Sequence, residues 1–124
     1  MKICLDFDGT VTTHDYPRIG KDINAIPVLR KIMAKGHVIN LCTMRSGATL
    51  SEAVEYLMTH GIEIHGVNED PGQREWTASP KPFGNLYIDD AALGCPLKFD
   101  PKVSARPFVD WDKVEKLLEE RGIL

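Results

Sequence analysis

The chain has no apolar run longer than a few residues, so no segment reads as a membrane span. It has no charged n-region followed by an apolar h-region, so no secretory leader is expected. It has no C-x-x-C pair. Cys4, Cys42 and Cys95 are an odd number without metal-ligand spacing, and two of them lie in apolar, strand-like runs. Buried, reduced thiols in a cytoplasmic protein are expected, ahead of a metal or redox role. No Lys/Arg cluster is present. The nearest approach is the scattered set Arg18, Lys21, Arg30, Lys31 and Lys35, and the net charge is −3. Nucleic acid is therefore disfavoured as a partner. No internal repeat or low-complexity tract interrupts the 124 residues, which fit a single domain, 1–124. That length can bury a core without disulfide staples.

What is present is an alternation of strand-like and helix-like segments. Residues 2–7 read as a strand. Residues 23–35 read as a helix with Ile26, Leu29, Ile32 and Met33 on one face, Asn24 as N-cap and Gly36 as stop. Pro27 is tolerable only in its first turn. Residues 37–42 read as a second strand. Thr49 and Glu52 have capping-box spacing for a second helix ending at Gly61. Its apolar stripe is Leu50, Val54, Leu57 and Met58. Residues 62–67 read as a third strand and 68–84 as a loop rich in Pro and Gly. Leu86 to Ile88 reads as a strand, and 96–99 as a fifth. Asp110 caps a last helix with Trp111, Val114, Leu117 and Leu118 inward. Such alternation predicts a doubly wound α/β/α sandwich around a parallel sheet of about five strands. In such sheets ligands bind at the carboxyl ends of the strands, where the strand order reverses.

Polar residues stand at several of those ends. The first strand runs into Asp6-Phe7-Asp8-Gly9-Thr10, the second into Thr43 and Arg45, and the fourth into Asp89-Asp90. Residues i and i+2 share a face of a strand, so both carboxylates of the first motif can project into one site. One can attack a phosphorus atom and the other can move a proton. Asp6 is the candidate nucleophile, ionised at neutral pH, and Asp8 the candidate acid/base. Gly9 allows a tight turn, and Thr10 with nearby N–H groups can meet an anion. Thr43 can donate a hydroxyl hydrogen bond, Arg45 can reach a phosphate oxygen, and Lys81 can hold the nucleophile and a phosphoryl oxygen. Clustered carboxylates would repel a phosphate dianion, so a cation is required. Mg²⁺ suits hard oxygen ligands: the Asp6 carboxylate, the Asp8 carbonyl, Asp89 and Asp90. Each residue also has an ordinary reading. Lys81 can be a solvated loop lysine, Thr43 a strand-end or N-cap residue, and Asp89-Asp90 a turn. Their joint order along the strands favours a site.

These motifs resemble those of the haloacid dehalogenase superfamily of phosphohydrolases. The first motif matches Asp6 to Thr10, the second Ile39 to Thr43, the third Lys81, and the fourth Leu86 to Asp90. The resemblance spans most of the chain and implies a Rossmann-like fold and a Mg²⁺-dependent phosphatase that works through an aspartyl-phosphate. Asp8, with Phe7 after the nucleophile, resembles the phosphatases and phosphomutases rather than the dehalogenases or ion pumps. The connections after the first and third strands are too short for a cap domain, so the chain looks capless. Tyr16 to Gly20 is similar to a small bacterial subgroup.

Three function classes follow. The first is a phosphomonoesterase acting on a phosphorylated small molecule or a larger phosphorylated substrate. The second is a module that binds phosphate and Mg²⁺ with little turnover. The third, a phospho-acceptor receiver, is disfavoured because an acidic pair follows the lysine. No membrane partner is expected, and a homo-oligomer could supply the missing lid. His14 lies just past the first motif and could contact substrate, although an exposed turn residue is the favoured reading. Arg74 and Trp76 lie in the 68–80 loop and could border the site.

Overall fold

Alternation along three short strands decides which way the sheet faces. The computed structural model describes residues 1–124. It contains β1 (Lys2–Leu5), α1 (Ala25–Ala34), β2 (Val38–Leu41), α2 (Gly47–Thr59), β3 (Ile64–Val67), β4 (Leu86–Ile88), β5 (Leu97–Lys98), β6 (Phe108–Val109) and α3 (Trp111–Glu120). The first four strands form a parallel sheet in the order β3-β2-β1-β4. In β1, β2 and β4, Ile3, Leu5, Ile39, Leu41 and Ile88 share one face by the period of two. They belong to a single core of 22 buried apolar residues, together with Leu29 and Ile32 of α1, Leu57 of α2, and Val114 and Leu118 of α3.

The other face carries Lys2, Cys4, Asn40 and Tyr87. It meets the irregular segment 68–85. Asn40 donates to Asp70 and to the Phe83 carbonyl, and the Tyr87 hydroxyl donates to the Pro82 carbonyl at 2.7 Å. Topology explains the division. The β1-α1-β2 and β2-α2-β3 crossovers step in one direction, and right-handedness puts both helices on one face. The chain then returns from β3 across the sheet to β4, so this connection covers the opposite face. Pro71, Pro80 and Pro82 limit helix formation there, and only the 3₁₀ turn Gln73–Glu75 forms. The second layer is thus a loop, where sequence alternation predicts helices on both faces.

Four strands, rather than five, make the parallel sheet. Residues 97–98 pair antiparallel with 108–109 in a separate ribbon. Buried Phe108 and Val109 supply a partner that the sequence pattern does not announce. Thr49 is not an N-cap. Ser46 takes that position, and the Thr49 hydroxyl donates back to the Ser46 carbonyl at 2.8 Å. Asn24 stands at the start of α1 in the left-handed region (φ 67°) with no side-chain cap bond. Asp110 caps α3 as expected, accepting from the Lys113 N–H. Met58 and Leu117, expected inward, are exposed at 64% and 38%, because Ala53 and Leu118 fill the facing positions. No helix is long and apolar enough to cross a membrane.

Candidate functional site

The order β2-β1-β4 places the carboxyl end of β1 between those of β2 and β4. Asp6 is the first residue beyond β1, and its N–H donates to the Ile88 carbonyl at 3.0 Å. That bond extends the ladder by one step and sets Asp6 beside Asp89. Asp6, Asp89 and Asp90 each bring a carboxylate oxygen within 4.8 Å of the others. The sequence expectation that these three converge is met by the fold.

The turn after Asp6 is tight. The Phe7 carbonyl accepts from the N–H groups of Thr10 at 3.1 Å and Val11 at 2.8 Å. Gly9 has φ +80°, and a Cβ there would lie 2.0 Å from His14 Nε2 and 2.6 Å from an Asp90 oxygen. Two elements hold the turn from outside. The Val109 N–H donates to the Gly9 carbonyl at 3.0 Å, and the buried Trp111 indole N–H donates to the Thr10 carbonyl at 2.7 Å. The Gly9 N–H is itself used, donating to the Thr12 carbonyl. It is therefore not open to an anion. Thr10 is also not open to an anion. Its buried hydroxyl lies 2.8 Å from Asp6 Oδ2 and 3.3 Å from Asp90 Oδ1, and it accepts from the Asp90 N–H. Gly9 and Thr10 shape and tie the carboxylates; they are not ligand donors.

Burial and two neighbouring acids leave Asp6 short of positive charge. Burial is the largest cause, and Asp89 and Asp90 add to it, so the Asp6 carboxyl is pushed up to about 8 against the Thr10 hydrogen bond. The charged form that the sequence reading assigns to Asp6 is therefore disfavoured by its surroundings unless a cation joins the site. Burial pushes Asp90 the same way, but hydrogen bonds from Asp6 and His14 outweigh it and hold Asp90 below its ordinary value. His14 Nε2 lies 2.8 Å from Asp90 Oδ2, with side chains 16% and 15% exposed. It is a member of the site rather than an exposed turn residue. The strap that carries it is closed by the Thr13 N–H donating to the Lys21 carbonyl at 3.0 Å and the Lys21 N–H to the Thr13 hydroxyl at 2.9 Å.

Asp8 does not join the trio by its carboxylate. Arg45 holds both its oxygens, Nη2 at 2.7 Å and Nε at 2.9 Å. Arg45 is only 2% exposed, and its remaining donors go to the carbonyls of Pro17, Arg18 and Thr49. It therefore has no N–H left for a phosphate oxygen, and its expected substrate role is replaced by a bidentate clamp on Asp8. The Asp8 carbonyl accepts no hydrogen bond within the chain. Thr43 stands at the end of β2. Its hydroxyl accepts from the Arg45 N–H at 3.1 Å and keeps its proton for another acceptor. Lys81 is exposed and makes no ion pair with these carboxylates; its ammonium lies 5.3 Å from the Tyr87 ring centroid. The loop path sends it along the sheet face rather than to the strand ends. Arg74 pairs with Glu69, and Trp76 packs edge-on against Phe83, so neither meets the carboxylates.

Sequence reasoning missed the Arg45 clamp and the His14 contact. The available signal for the first was a buried-strand-end Arg two residues after Thr43. For the second it was a histidine four residues beyond Thr10.

These features define a parallel α/β protein with an acidic site at the carboxyl ends of its central strands. A solved structure, that of a conserved protein from Bacteroides thetaiotaomicron, is similar to it with a TM-score of 0.80 and 31% identity. The match covers 98% of this chain and 91% of that one, and the chain belongs to the family of that protein. Neither a protein-family model nor a curated protein matches the sequence.

Proposed function

We propose that the protein is a Mg²⁺-dependent phosphomonoesterase of the haloacid dehalogenase type. The carrying observation is the trio Asp6, Asp89 and Asp90, gathered within 4.8 Å at the ends of neighbouring strands, with no Lys or Arg paired to it. Three hard oxygen donors at that spacing fit Mg²⁺. When bound, Mg²⁺ would supply the positive charge that ionises Asp6 and offsets charge on a phosphoryl group. In this reading the fold is a small capless form of the doubly wound, three-layer sandwich, its second layer reduced to segment 68–85. The three free cysteines support a reducing, cytoplasmic setting.

The chemistry then runs on this chain's own residues. An Asp6 oxygen attacks phosphorus, an O–P bond forms, and the bond to the ester oxygen breaks. The departing oxygen takes a proton from Asp8, which in this reading first turns from Arg45 and takes up that proton from solvent. Water next attacks the aspartyl-phosphate, loses a proton to Asp8, and releases inorganic phosphate with the Asp6 carboxylate restored. The free Thr43 hydroxyl proton serves a phosphoryl oxygen. Arg45 and Thr10 act as positioning residues for Asp8 and Asp6. Lys81 takes no step.

A second reading, a phosphate- and Mg²⁺-binding module with little turnover, is favoured by one observation. Both Asp8 oxygens are already held by Arg45. A Mg²⁺-supplemented screen of phosphate esters, with Asp6→Asn as blank, separates the two. The phosphatase reading expects phosphate release and a hydroxylamine-labile phosphoprotein, both absent in the blank. No release from any ester and no labile phosphate would overturn it.

A further inference from the structure

The strap between β1 and α1 places an aromatic ring, Tyr16, against the Arg45 that clamps Asp8. Arg45 binds both Asp8 oxygens and also the carbonyls of Pro17 and Arg18, the two residues after Tyr16. The Arg45 Cζ lies 5.3 Å from the Tyr16 ring centroid and 5.1 Å from that of buried Phe7. Tyr16 thus lies against a buried cation whose N–H groups are all hydrogen-bonded, and its contact with the guanidinium is favourable. Yet 62% of Tyr16 is exposed, and its hydroxyl finds no partner in the chain. A ring with a buried cation against it and most of its surface open to solvent offers a flat surface for stacking.

Its position relative to the proposed chemistry gives it a use. Asp6 marks the phosphorus and Asp8 marks the departing oxygen. Arg45 touches both Asp8 and the Tyr16 ring, so the exposed ring belongs to the Asp8 side of the site, the side on which the alcohol portion would depart. We infer that Tyr16 is a specificity-determining residue and that the substrate is a phosphate monoester whose alcohol portion carries a flat aromatic ring. This rests on the phosphomonoesterase reading for the identity of the reacting ends. A nucleobase and a simple aryl group share the chemistry that Tyr16 would recognise.

Matched pairs test it without changing the departing oxygen. Adenosine 5′-monophosphate is compared with ribose 5-phosphate, and 2-phenylethyl phosphate with propyl phosphate. In the wild type the ring-bearing member of at least one pair should have the higher kcat/KM, by about tenfold or more, as stacking of one ring provides. Which pair responds tells nucleobase from aryl. The ratio should persist in Tyr16→Phe and collapse toward unity in both Tyr16→Leu and Tyr16→Ala. Leucine keeps bulk on Arg45, so its loss of the ratio cannot be laid to a disordered strap. A wild-type ratio near unity, or a ratio unmoved by leucine, would overturn the inference. If no ester turns over, the phosphatase reading fails by itself. Calorimetric affinities for the same pairs, on Tyr16 and on Tyr16→Leu backgrounds, then read the ring preference directly, and equal affinities within both pairs refute it.

Discussion

Two carboxylates stand at opposite ends of β1 and depart from their ordinary acidity in opposite directions. Asp70 lies over Lys2, the first residue of the strand, and is 3% exposed. Asp6 follows the last residue. Burial is the largest influence on both and pushes both up. For Asp70, hydrogen bonds from Lys2 and Asn40 and the charge of Lys2 overcome it, and the carboxyl ends below its usual value. For Asp6, one hydroxyl opposes burial and two further acids reinforce it, and the carboxyl ends at about 8. Partners, rather than burial, decide the outcome. Asp70 fastens segment 68–85 to the sheet. Burial and its acidic neighbours disfavour the charged form of Asp6, and a cation or a proton relieves that. Unrelieved local cost of this kind is expected at functional sites.

The sharpest way to break this contrast is to remove the charge of Asp6, the proposed nucleophile. Asp6→Asn should lower phosphate-ester turnover by at least ~10³-fold, measured as phosphate release by purified protein. Asp70→Asn should leave the ranking of substrates as it is, because it lies at the other end of the strand. Substantial turnover by Asp6→Asn would remove Asp6 from its role and with it the functional half of the comparison.

The next largest effect separates the neighbours of Asp6. Asp8→Asn should cost roughly 10²–10⁴-fold in rate while the Mg²⁺ concentration for half-maximal activity stays nearly constant. Asp89→Asn should instead raise that concentration. The geometry supports the division, since Asp89 belongs to the carboxylate trio and the Asp8 carboxylate belongs to Arg45. Equal metal defects in both variants would mean that Asp8 turns from Arg45 toward the trio.

The sequence made one of the two carboxylates visible and hid the other. Asp6, Asp89 and Asp90 were legible because strand alternation is local and parallel topology then brings strand ends together. The four main-sheet strands and all three helices were legible for the same reason. Asp70 was not, because its importance comes from Lys2 and Asn40, which meet it only through the path of the 68–85 loop. The same path leads Lys81 away from the strand ends. Arg45 was seen, but its clamp on Asp8 joins residues 37 apart and depends on three carbonyls that no local pattern specifies. The pairing of 97–98 with 108–109 involves strands of two residues each, too short to carry a period.

A smaller effect belongs to the paired end of β1. Asp70→Ala removes the acceptor of Lys2 and one acceptor of the buried Asn40 amide, whose Oδ1 already lacks a partner. The expected loss is about 1–3 kcal/mol in urea unfolding, the usual range for stranding a buried donor. Lys2 is 39% exposed and can turn to water, which keeps the loss out of the range of a wholly buried pair. A change near zero would show that segment 68–85 holds to the sheet without this contact.

The pH dependence of stability separates the two ends of β1 by sign, because their contributions should run in opposite directions. Asp70 stays ionised in the folded protein at a pH where the unfolded chain takes up a proton. Its contribution is therefore present above the unfolded value, near 4, and is lost as pH falls through the lower folded value. Asp6 does the reverse. Between about pH 4 and 8 the folded protein keeps a proton that the unfolded chain has released, so Asp6 costs nothing at the acid end and progressively more toward pH 8. Subtracting the melting temperature of Asp6→Asn from that of the wild type, without divalent cation, isolates the second term from the histidines common to both. The difference should be close to zero at pH 4.5 and should fall by ~5 °C or more by pH 8, the wild type melting lower. Millimolar Mg²⁺ should shrink the gap by stabilising the wild type and not the variant. A difference that is flat across this range, with and without Mg²⁺, would mean that Asp6 is already relieved by a neighbour, and that the two ends of the strand are alike after all.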